Sequence, residues 1–448
     1  MQDFTSGHEG KHILKFAVPM LIGNIIQQLF SVVDSVIVGK FIGTEALAAV
    51  GASFPVIFIM LSLIIGLAMG TTVIISQYFG AKDTEKVKRT ISTMYICCAV
   101  IGVIATIVGI LISEPILRLT DLPEELMPQA TLFLKIYLSG TLIFFGFNGT
   151  SAVLRGLGDS KTPLYFLVIA SIVNIILVIL FVGVFRWGVG GAAWATLIAN
   201  AIAFALAIWW LNRNHKLIKI TIKRLNFDKE IFRQTLRIGL PTGVQQMLVA
   251  LGGITLISIV NQFGTEVIAG YYVAIRIESL ALAPAMAFSQ ALSAFVGQNI
   301  GANKSERIKT GLIATMKIAG IIAILITMFI IIFSNAIMGL FTDDLEVIRI
   351  GNQYLTIVSI FYFVFTIMFI YNGLARGAGD TLFPMIFSLI SLWLIRIPFA
   401  WYFSEKFGVQ GIWWSIPAGW MIGYMLSYFY YKTGRWKTKA VVRHIIDG

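Results

Sequence analysis

The segment that decides the fold is KFAVPMLIGNIIQQLFSVVDSVIVGK, residues Lys15 to Lys40. It is longer than the roughly 20 apolar residues that a helix needs to cross the ~30 Å hydrocarbon core of a bilayer. Yet it carries a carboxylate, Asp34, inside the apolar run. A charged side chain at that depth is costly, and intramembrane acids commonly line an ion or substrate path. We therefore interpret the segment as a transmembrane helix with a functional face.

The polar residues of this segment lie on one side of the predicted helix. They follow one another at spacings of three, four and three residues, which places them on a single helical face. They are Asn24, Gln27, Ser31 and Asp34. We predict that this stripe lines a cavity. The alternative is that Asp34 only hydrogen-bonds to neighbouring helices, but a neutral Asn would do so at a lower desolvation cost.

Composition excludes an ordinary soluble protein. Of the 448 residues, 58% are hydrophobic and only 12% are charged. The formal net charge of +12 raises nucleic-acid binding as an alternative, but the basic residues gather in loops, which is a membrane-topology signal, and we expect no nucleic-acid partner. The first ten residues are polar and the first apolar run is long, so we expect a retained span, not a cleaved signal peptide.

Apolar runs bounded by Gly, Pro, Asn or charge predict an all-α polytopic membrane protein with twelve transmembrane helices. Their limits are 14–38, 46–77, 91–112, 129–153, 163–185, 190–212, 236–262, 267–297, 310–334, 350–374, 383–404 and 409–431. Two of them, 46–77 and 267–297, exceed one crossing and are expected to tilt or to extend beyond the hydrocarbon. Each contains a proline, Pro55 or Pro284, at which a bend is possible.

Lys and Arg residues are distributed unequally between the loops on the two sides. Most of the 34 lie on the side of the N-terminus, above all between the sixth and seventh spans. The opposite side holds Lys40, Arg118, Arg186, Arg349 and Lys406. Because Lys and Arg favour the cytoplasmic side, we predict a multi-pass protein of the plasma membrane with both termini in the cytoplasm.

The two halves of the chain repeat at an offset of 221 residues. Gly43-Thr44-Glu45 matches residues 264–266, and the loop Arg-Gly-x-Gly-Asp occurs at both 155–159 and 376–380. One offset held over most of a half indicates a duplication. Because each half has six spans, the two repeats have the same orientation, as in transporters that carry their substrate path between parallel repeats. The predicted organisation is a first lobe over 1–212, a cytoplasmic linker over 213–235 and a second lobe with a basic tail over 236–448.

Other polar residues inside the predicted spans are few. Glu278 in the eighth span and Arg396 in the eleventh form a plausible pair, structural or functional. Asn174 in the fifth span is a candidate to share a polar pocket with Asp34. The seventh span offers a milder polar lining that includes Gln245 and Thr255, and Thr255 occupies the repeat position of Asp34. The carboxylate is therefore not duplicated, which suggests that one half does the ion coupling.

Chemical motifs give no support for an enzyme. The histidines lie outside the spans, and no His/Cys metal spacing or pair of intramembrane acids suits general acid–base work. We predict no cofactor and no bound metal. The two Arg-Gly-x-Gly-Asp loops lack the strand–loop–helix context of a phosphate-binding loop, so we interpret them as turns in which Arg and Asp pair with each other or with helix ends.

Several stretches resemble the MATE (multidrug and toxic compound extrusion) family along essentially the whole chain. They are PMLIGNIIQQLFSVVDSVIVGKFIGTEALAAVG in the first span, VGQNIGA in the eighth, LIRIPFAWYF in the eleventh and the two Arg-Gly-x-Gly-Asp loops. The resemblance implies a V-shaped, two-lobed transporter that expels organic cations in exchange for H⁺ or Na⁺. It also implies that Asp34 is the coupling acid of the first lobe, with Asn174 in the same pocket.

Departures from the family pattern favour its DinF-like branch. Val178 stands where many relatives carry an Asp, and the seventh and tenth spans lack the acids of the other bacterial branch. We predict efflux of organic cations or lipophilic drugs by a monomer, coupled to H⁺ because a lone carboxylate suits a proton better than a Na⁺ ion, with Na⁺ as the alternative. The competing hypotheses are a flippase for lipid-linked oligosaccharides or lipids, which would need more basic residues in its cavity, and a non-transporting membrane scaffold.

Overall fold

The computed structural model describes residues 2–119, 122–214 and 225–442, and these ranges are helical almost throughout. The α-helices are α1 (Glu9–Phe41), α2 (Thr44–Gly80), α3 (Thr84–Leu119), α4 (Met127–Ser139), α5 (Thr141–Gly156), α6 (Lys161–Val178), α7 (Gly188–Asn214), α8 (Lys229–Val260), α9 (Thr265–Gly301), α10 (Ser305–Gly339), α11 (Leu345–Ser359), α12 (Tyr362–Gly377), α13 (Leu382–Leu389), α14 (Ile397–Phe407) and α15 (Val409–Thr433). Two π-helical segments, Ile179–Val184 and Ile390–Arg396, continue α6 and α13. No β-strand occurs in the described ranges, and the all-α prediction is confirmed.

Every predicted apolar run coincides with a helix or with consecutive helical segments. The run 383–404 crosses α13, the second π-helical segment and α14, and the run 163–185 ends one residue beyond the π-helical segment that continues α6. Among the described residues, nine helical segments are long and apolar enough to cross a membrane, and the bent pairs α4–α5 and α11–α12 raise this number to eleven. The remaining run corresponds to α15, which is 25 residues long but rich in Trp, Tyr and Gly. The prediction of a polytopic membrane fold is confirmed.

The sharp bends of the spans do not lie at the two central prolines. Helices α2 and α9 are each continuous over 37 residues, through Pro55 and Pro284 respectively. The chain bends instead by 47° between α4 and α5 and by 51° between α11 and α12. Transmembrane helices tolerate a proline where neighbouring groups satisfy the freed carbonyl, so a proline inside a long apolar run is a weak predictor of a break.

The described chain divides into two compact units whose limits fall inside helices. Unit 1 comprises residues 1–2 and 22–243, and unit 2 comprises residues 3–21 and 244–448. Each internal boundary lies two residues beyond a helix proline, Pro19 in α1 or Pro241 in α8. The predicted lobes 1–212 and 236–448 follow the sequence repeat, not packing, and stay a prediction. Residues 215–224 of the predicted linker lie outside the described residues.

The same helix pairs pack together in both units. In unit 1, α2 packs on α5, α3 on α4 and α6 on α7; in unit 2, α9 packs on α12, α10 on α11 and α14 on α15. Close approach depends on glycine at repeat positions. A Cβ at Gly156 would lie 2.8 Å from Ile75 Cβ, and one at Gly377 would lie 2.4 Å from the Ser293 carbonyl oxygen. Packing therefore supports the duplication that the sequence predicts.

The Arg-Gly-x-Gly-Asp loops are helix connections. Gly158 and Gly379 adopt φ values of +80° and +93°, a left-handed conformation that favours glycine. Asp159 accepts hydrogen bonds from the backbone N–H groups of Lys161 and Thr162, both at 3.0 Å, and so caps the start of α6. Asp380 accepts a hydrogen bond from the Tyr430 hydroxyl. The predicted pairing of Asp159 with a helix end is confirmed.

Candidate functional site

The second part of α1 lies along α6 in unit 1. A Cβ at Gly23 would lie 3.4 Å from Leu167 Cδ2, and near the other end of α1 the Phe41 ring lies 3.4 Å from the corresponding position of Gly183. Going from Gly23 to Phe41 along α1, the contact thus moves from Leu167 in α6 to Gly183 in the π-helical segment that continues α6. The two helical segments therefore run parallel to each other.

This contact brings Asp34 and Asn174 to the same region. Asp34 follows Gly23 by eleven residues, close to three turns, and Asn174 follows Leu167 by seven residues, close to two turns. Each polar residue therefore lies on the face of its helix that contacts the other helix. At 1.5 Å per residue, their levels along the helices differ by only about 6 Å. The predicted association of Asp34 with Asn174 is consistent with this packing.

Both side chains present a buried oxygen that has no hydrogen-bond donor. Asp34 is partly buried, and its Oδ1 atom is fully buried without a partner among the described residues. Asn174 is 2% exposed; its Nδ2 donates to Thr196 Oγ1 at 2.9 Å, while its Oδ1 has no partner. Buried polar atoms are nearly always satisfied in proteins. Two unsatisfied acceptors in one region are therefore suited to a proton, a metal cation or a donor group of a ligand.

Two neighbours of this pair were not singled out from the sequence. Thr196 in α7 accepts the Asn174 hydrogen bond and in turn donates to the Ala192 carbonyl oxygen at 3.1 Å, which fixes the orientation of the Asn174 amide. Tyr137 in α4 lies within electrostatic range of Asp34 and stacks on Phe144 at 4.8 Å between ring centroids. The sequence contains many Thr and Tyr residues in apolar runs, so only the tertiary packing identifies these two.

The rest of the predicted stripe is less enclosed than Asp34. Asn24 is partly buried, whereas Gln27 and Ser31 are exposed in the structure. The Ser31 carbonyl oxygen accepts a hydrogen bond from Ser35 Oγ at 2.9 Å within the same helix. Asp34 is therefore the member of the stripe whose polar atom is both buried and unpaired, and the role of the other three as a cavity lining stays a prediction.

In unit 2, the predicted residues of the seventh span have different surroundings. Gln245 is 8% exposed, and its Nε2 donates to Ser388 Oγ at 2.5 Å and to the Pro384 carbonyl oxygen at 3.3 Å. Thr255 is partly buried, and its hydroxyl donates to the Leu251 carbonyl oxygen of its own helix at 3.0 Å. Gln245 thus joins α8 to α13, whereas Thr255 does not reproduce the surroundings of its repeat counterpart Asp34.

Glu278 and Arg396 lie in one aromatic cluster of unit 2. Glu278 accepts a hydrogen bond from the Tyr354 hydroxyl, and the charge of Arg396 acts on it. Trp413 stacks on Tyr271 with 5.4 Å between ring centroids and contacts the Tyr354 ring edge-on at 4.9 Å. The predicted neighbourhood of Glu278 and Arg396 is therefore present, although Arg396 Nε has no hydrogen-bond partner among the described residues.

Neither centre resembles a metal cage or a catalytic apparatus. In the described parts of the chain, no three side chains of His, Cys, Asp or Glu come together in a way that would hold a metal ion. The architecture is that of a polytopic membrane transporter with a polar centre buried inside each unit, and comparison with known proteins gives the family.

The chain belongs to the MatE family, whose model matches residues 19–180 and 241–402, one stretch in each repeat. It is 34% identical to the probable multidrug resistance protein YpnP of Bacillus subtilis (strain 168), over 97% of both chains. It is 28% identical to the probable multidrug resistance protein NorM of Thermotoga maritima, over 96% of this chain and 94% of that protein. A solved multidrug resistance MATE family transporter in an outward-facing conformation matches with a TM-score of 0.91 and 26% identity, over 97% of this chain and 98% of that one. Members of this family are transporters, not enzymes, and the family resemblance noted in the sequence is confirmed.

Proposed function

We propose that this protein exports organic cations or lipophilic drugs across the plasma membrane in exchange for protons, with Asp34 as the coupling residue. The multidrug resistance assignments of its relatives support the cargo class. The unequal distribution of Lys and Arg supports a multi-pass topology with both termini in the cytoplasm. The protein acts as a monomer within the bilayer, and no cofactor beyond the coupling ion takes part.

The observation that carries this proposal is the pair of unsatisfied oxygens in unit 1. Asp34 Oδ1 and Asn174 Oδ1 are both buried and accept no hydrogen bond among the described residues. The Asn174 amide cannot turn its N–H group toward Asp34 without giving up its bond to Thr196. The arrangement leaves the carboxylate as an acceptor in need of a positive partner.

Exchange follows from competition for that carboxylate. Loss of hydration disfavours the ionised form of a buried carboxylate, so a proton or a cationic cargo stabilises it when it is bound. Protonation removes the charge that attracts a cationic cargo, and cargo excludes the proton. If the site opens alternately to the two sides of the membrane, a proton that enters from outside displaces cargo there, and its release in the cytoplasm prepares the site for the next cargo.

We favour H⁺ over Na⁺ because the site is poor in hard oxygen ligands. A Na⁺ ion, like other hard cations, is best held by several converging oxygens. Besides its own carboxylate, the surroundings of Asp34 offer the neutral Asn174 amide and the hydroxyls of Thr196 and Tyr137, and the buried position 178 is Val, not a second acid. A proton needs a single acceptor and is the ion that this donor set fits best.

Transport of a fluorescent organic cation by reconstituted vesicles tests the proposal. Purified full-length protein is reconstituted in liposomes, and cation accumulation is followed under an imposed pH gradient without Na⁺, and then under a Na⁺ gradient at equal pH. We expect accumulation driven by the pH gradient and abolished by a protonophore. Accumulation that saturates with Na⁺ and needs no pH gradient would replace H⁺ by Na⁺.

Two further measurements separate the cargo classes. Asp34→Asn and the matched control Ser35→Ala, one residue further on the same helix, are reconstituted at equal protein content; only Asp34→Asn is expected to lose transport. The same liposomes are assayed for movement of a fluorescent lipid between leaflets. Lipid movement without any cation transport would favour the flippase hypothesis and overturn the proposed efflux.

A further inference from the structure

The aromatic cluster around Glu278 has an unusual excess of unpaired donors. Tyr354 donates its hydroxyl hydrogen bond to Glu278 Oε2. Three other donor atoms, all buried, have no partner among the described residues: Arg396 Nε, Tyr362 Oη and Trp413 Nε1. Two of these donors, on Arg396 and Tyr362, lie within electrostatic range of Glu278, and the third is on Trp413, which packs against Tyr354. Since buried donors are nearly always satisfied, the presence of all three in one cluster requires a physical explanation.

The geometry joins these donors to Glu278 in one cluster. The charges of Glu278 and Arg396 act on each other, and that of Glu278 also acts on Tyr362. Trp413 is fully buried and contacts the rings of Tyr271 and Tyr354. All the donors lie on helices that differ from that of Glu278, namely α12, α15 and the π-helical segment that follows α13. A change in the charge of Glu278 therefore acts on side chains of several helices of unit 2.

Arg396 occupies a deformable position. It is the last residue of the π-helical segment Ile390–Arg396, which interrupts the eleventh span between α13 and α14. Single π-helical turns inside helices are rare and occur frequently at functional sites, because they relax the regular hydrogen-bond ladder. The neighbouring α15 lies close behind, since a Cβ at Gly419 would lie 3.2 Å from Arg396 Cβ. Small changes in this segment can move the guanidinium toward or away from Glu278.

We propose that Glu278 is a second proton-binding site of this transporter, and that its ionisation draws the unpaired donors, Arg396 first, onto the carboxylate. The present structure, in which Tyr354 is the hydrogen-bond partner of Glu278 among the described residues, then corresponds to the protonated form. The ionised form gains the Arg396 and Tyr362 hydrogen bonds. Together with the proton proposed for Asp34, this gives two exchangeable protons per transporter, so the inference extends the proposed function.

A proton fits this cluster better than other ligands. Tyr271, Tyr354, Tyr362 and Trp413 are each at most 3% exposed, so their rings are covered by neighbouring side chains and are not available to stack on an organic cation. A small anion would suit the donors but would be repelled by Glu278 in its ionised form. The ionisable groups that face Glu278 are Tyr271 on its own helix, Tyr354 on α11, Tyr362 on α12 and Arg396. Among these groups, Arg396 supplies the opposite charge that keeps the carboxylate able to release its proton.

Infrared difference spectroscopy of the full-length protein in lipid nanodiscs tests this inference. A pH change across the titration of buried carboxyls is applied, and the carbonyl stretch of protonated carboxylic acids is recorded. We expect two components in the wild type. Asp34→Asn should remove one, Glu278→Gln the other, and the double substitution both. Glu266→Gln, which removes an exposed acid at the start of the same helix, is the matched control and should retain both components.

Neighbouring residues provide readouts that a purely structural Glu278 would not change. Tyr354→Phe removes the hydrogen bond to Glu278 and should shift its carbonyl component to higher wavenumber. Arg396→Gln removes the opposite charge, so the component should persist to higher pH. If the Glu278→Gln spectrum contains the same carbonyl components as the wild-type spectrum, Glu278 is not a second proton-binding site. If the wild type shows no component that Asp34→Asn removes, the proposed coupling at Asp34 fails, but the Glu278 site does not. The failure of the proposed function is therefore distinguishable from the failure of this inference.

Discussion

The polar centres of the two units have opposite polarity. In unit 1 the unpaired buried atoms at the candidate site are acceptors, Asp34 Oδ1 and Asn174 Oδ1. In unit 2 they are donors, on Arg396, Tyr362 and Trp413. The helix pairs that pack in one unit nevertheless have their equivalents in the other. Duplication has therefore preserved the scaffold, while the chemistry inside each copy has diverged.

The repeat offset shows how complete this divergence is. Position 255, which corresponds to Asp34, is a Thr whose hydroxyl donates within its own helix, and position 57, which corresponds to Glu278, is a buried Ile. Arg396 lies one residue beyond the equivalent of Asn174, where unit 2 forms its π-helical segment and unit 1 remains α-helical. A pocket whose unpaired groups are a carboxylate oxygen and an amide oxygen suits exchange of a cation with the outside. A pocket in which Arg396 supplies a positive charge beside Glu278 suits a carboxylate that gains and loses a proton without binding an external cation.

The largest effect is expected from removal of the acid of unit 1. Asp34→Asn keeps the size of the side chain but can neither bind nor release a proton. Uptake of a fluorescent cation driven by a pH gradient should fall to the level of liposomes without protein, while the elution profile in size-exclusion chromatography stays unchanged. Transport at the wild-type rate would make Asp34 a structural residue and remove the distinction between the units.

This first prediction concerns Asp34, the part of the site that can be recognised from the sequence alone. A carboxylate within an apolar run is conspicuous, and the helical period shows which residues share its face. The residues that surround Asp34 cannot be recognised in this way. In the sequence, Tyr137 and Thr196 look like ordinary residues of a span, and only the tertiary packing places them at the site. The helical period places Gln27 and Ser31 on the same face as Asp34, but in the structure both are exposed and less enclosed than Asp34.

The fold was predicted more completely than the sites. Twelve apolar runs and one repeat offset led to the helix order, because span length is set by bilayer thickness. The bend between α4 and α5 and the π-helical segment before α14 carry no comparable signal. Both depend on the neighbouring helices that satisfy the displaced backbone groups, and those neighbours are known only from tertiary structure.

The second largest effect concerns the charged pair of unit 2. At a pH at which Glu278 is ionised, Glu278→Gln and Arg396→Gln each leave a partly buried charge without its opposite, so each should destabilise the protein. The double substitution should lose less stability than the sum of the two, with a coupling of about 0.5–3 kcal/mol. Reversible unfolding in mixed micelles measures the three variants against wild type. Strictly additive losses would show that the two charges do not interact.

The shared scaffold predicts equal sensitivity at repeat-equivalent glycines. Gly156→Ala and Gly377→Ala each place a methyl group within 3.0 Å of the helix packed against them. Each should destabilise its unit by about 1–3 kcal/mol, as overpacking of a close contact does. Thermal unfolding of purified variants measures this effect. Gly253→Ala is the control, because no atom lies within 4 Å of its Cβ position. A strong loss in one unit alone would argue that the two scaffolds have diverged as well.

The smallest effect is expected at the repeat counterpart of Asp34. Thr255→Val removes a hydroxyl that donates only to the Leu251 carbonyl oxygen of its own helix, and that carbonyl keeps its regular helical hydrogen bond. The partly buried side chain changes little in volume and leaves no acceptor unpaired, so the free energy of unfolding should change by no more than about 1 kcal/mol, the scale of one local hydrogen bond. Cation uptake should stay near the wild-type rate at every pH at which Asp34→Asn is inactive. A pronounced transport defect in Thr255→Val would mean that unit 2 contributes to coupling at the position equivalent to Asp34, and the opposite polarity of the two centres would then have to be explained as two parts of one ion path.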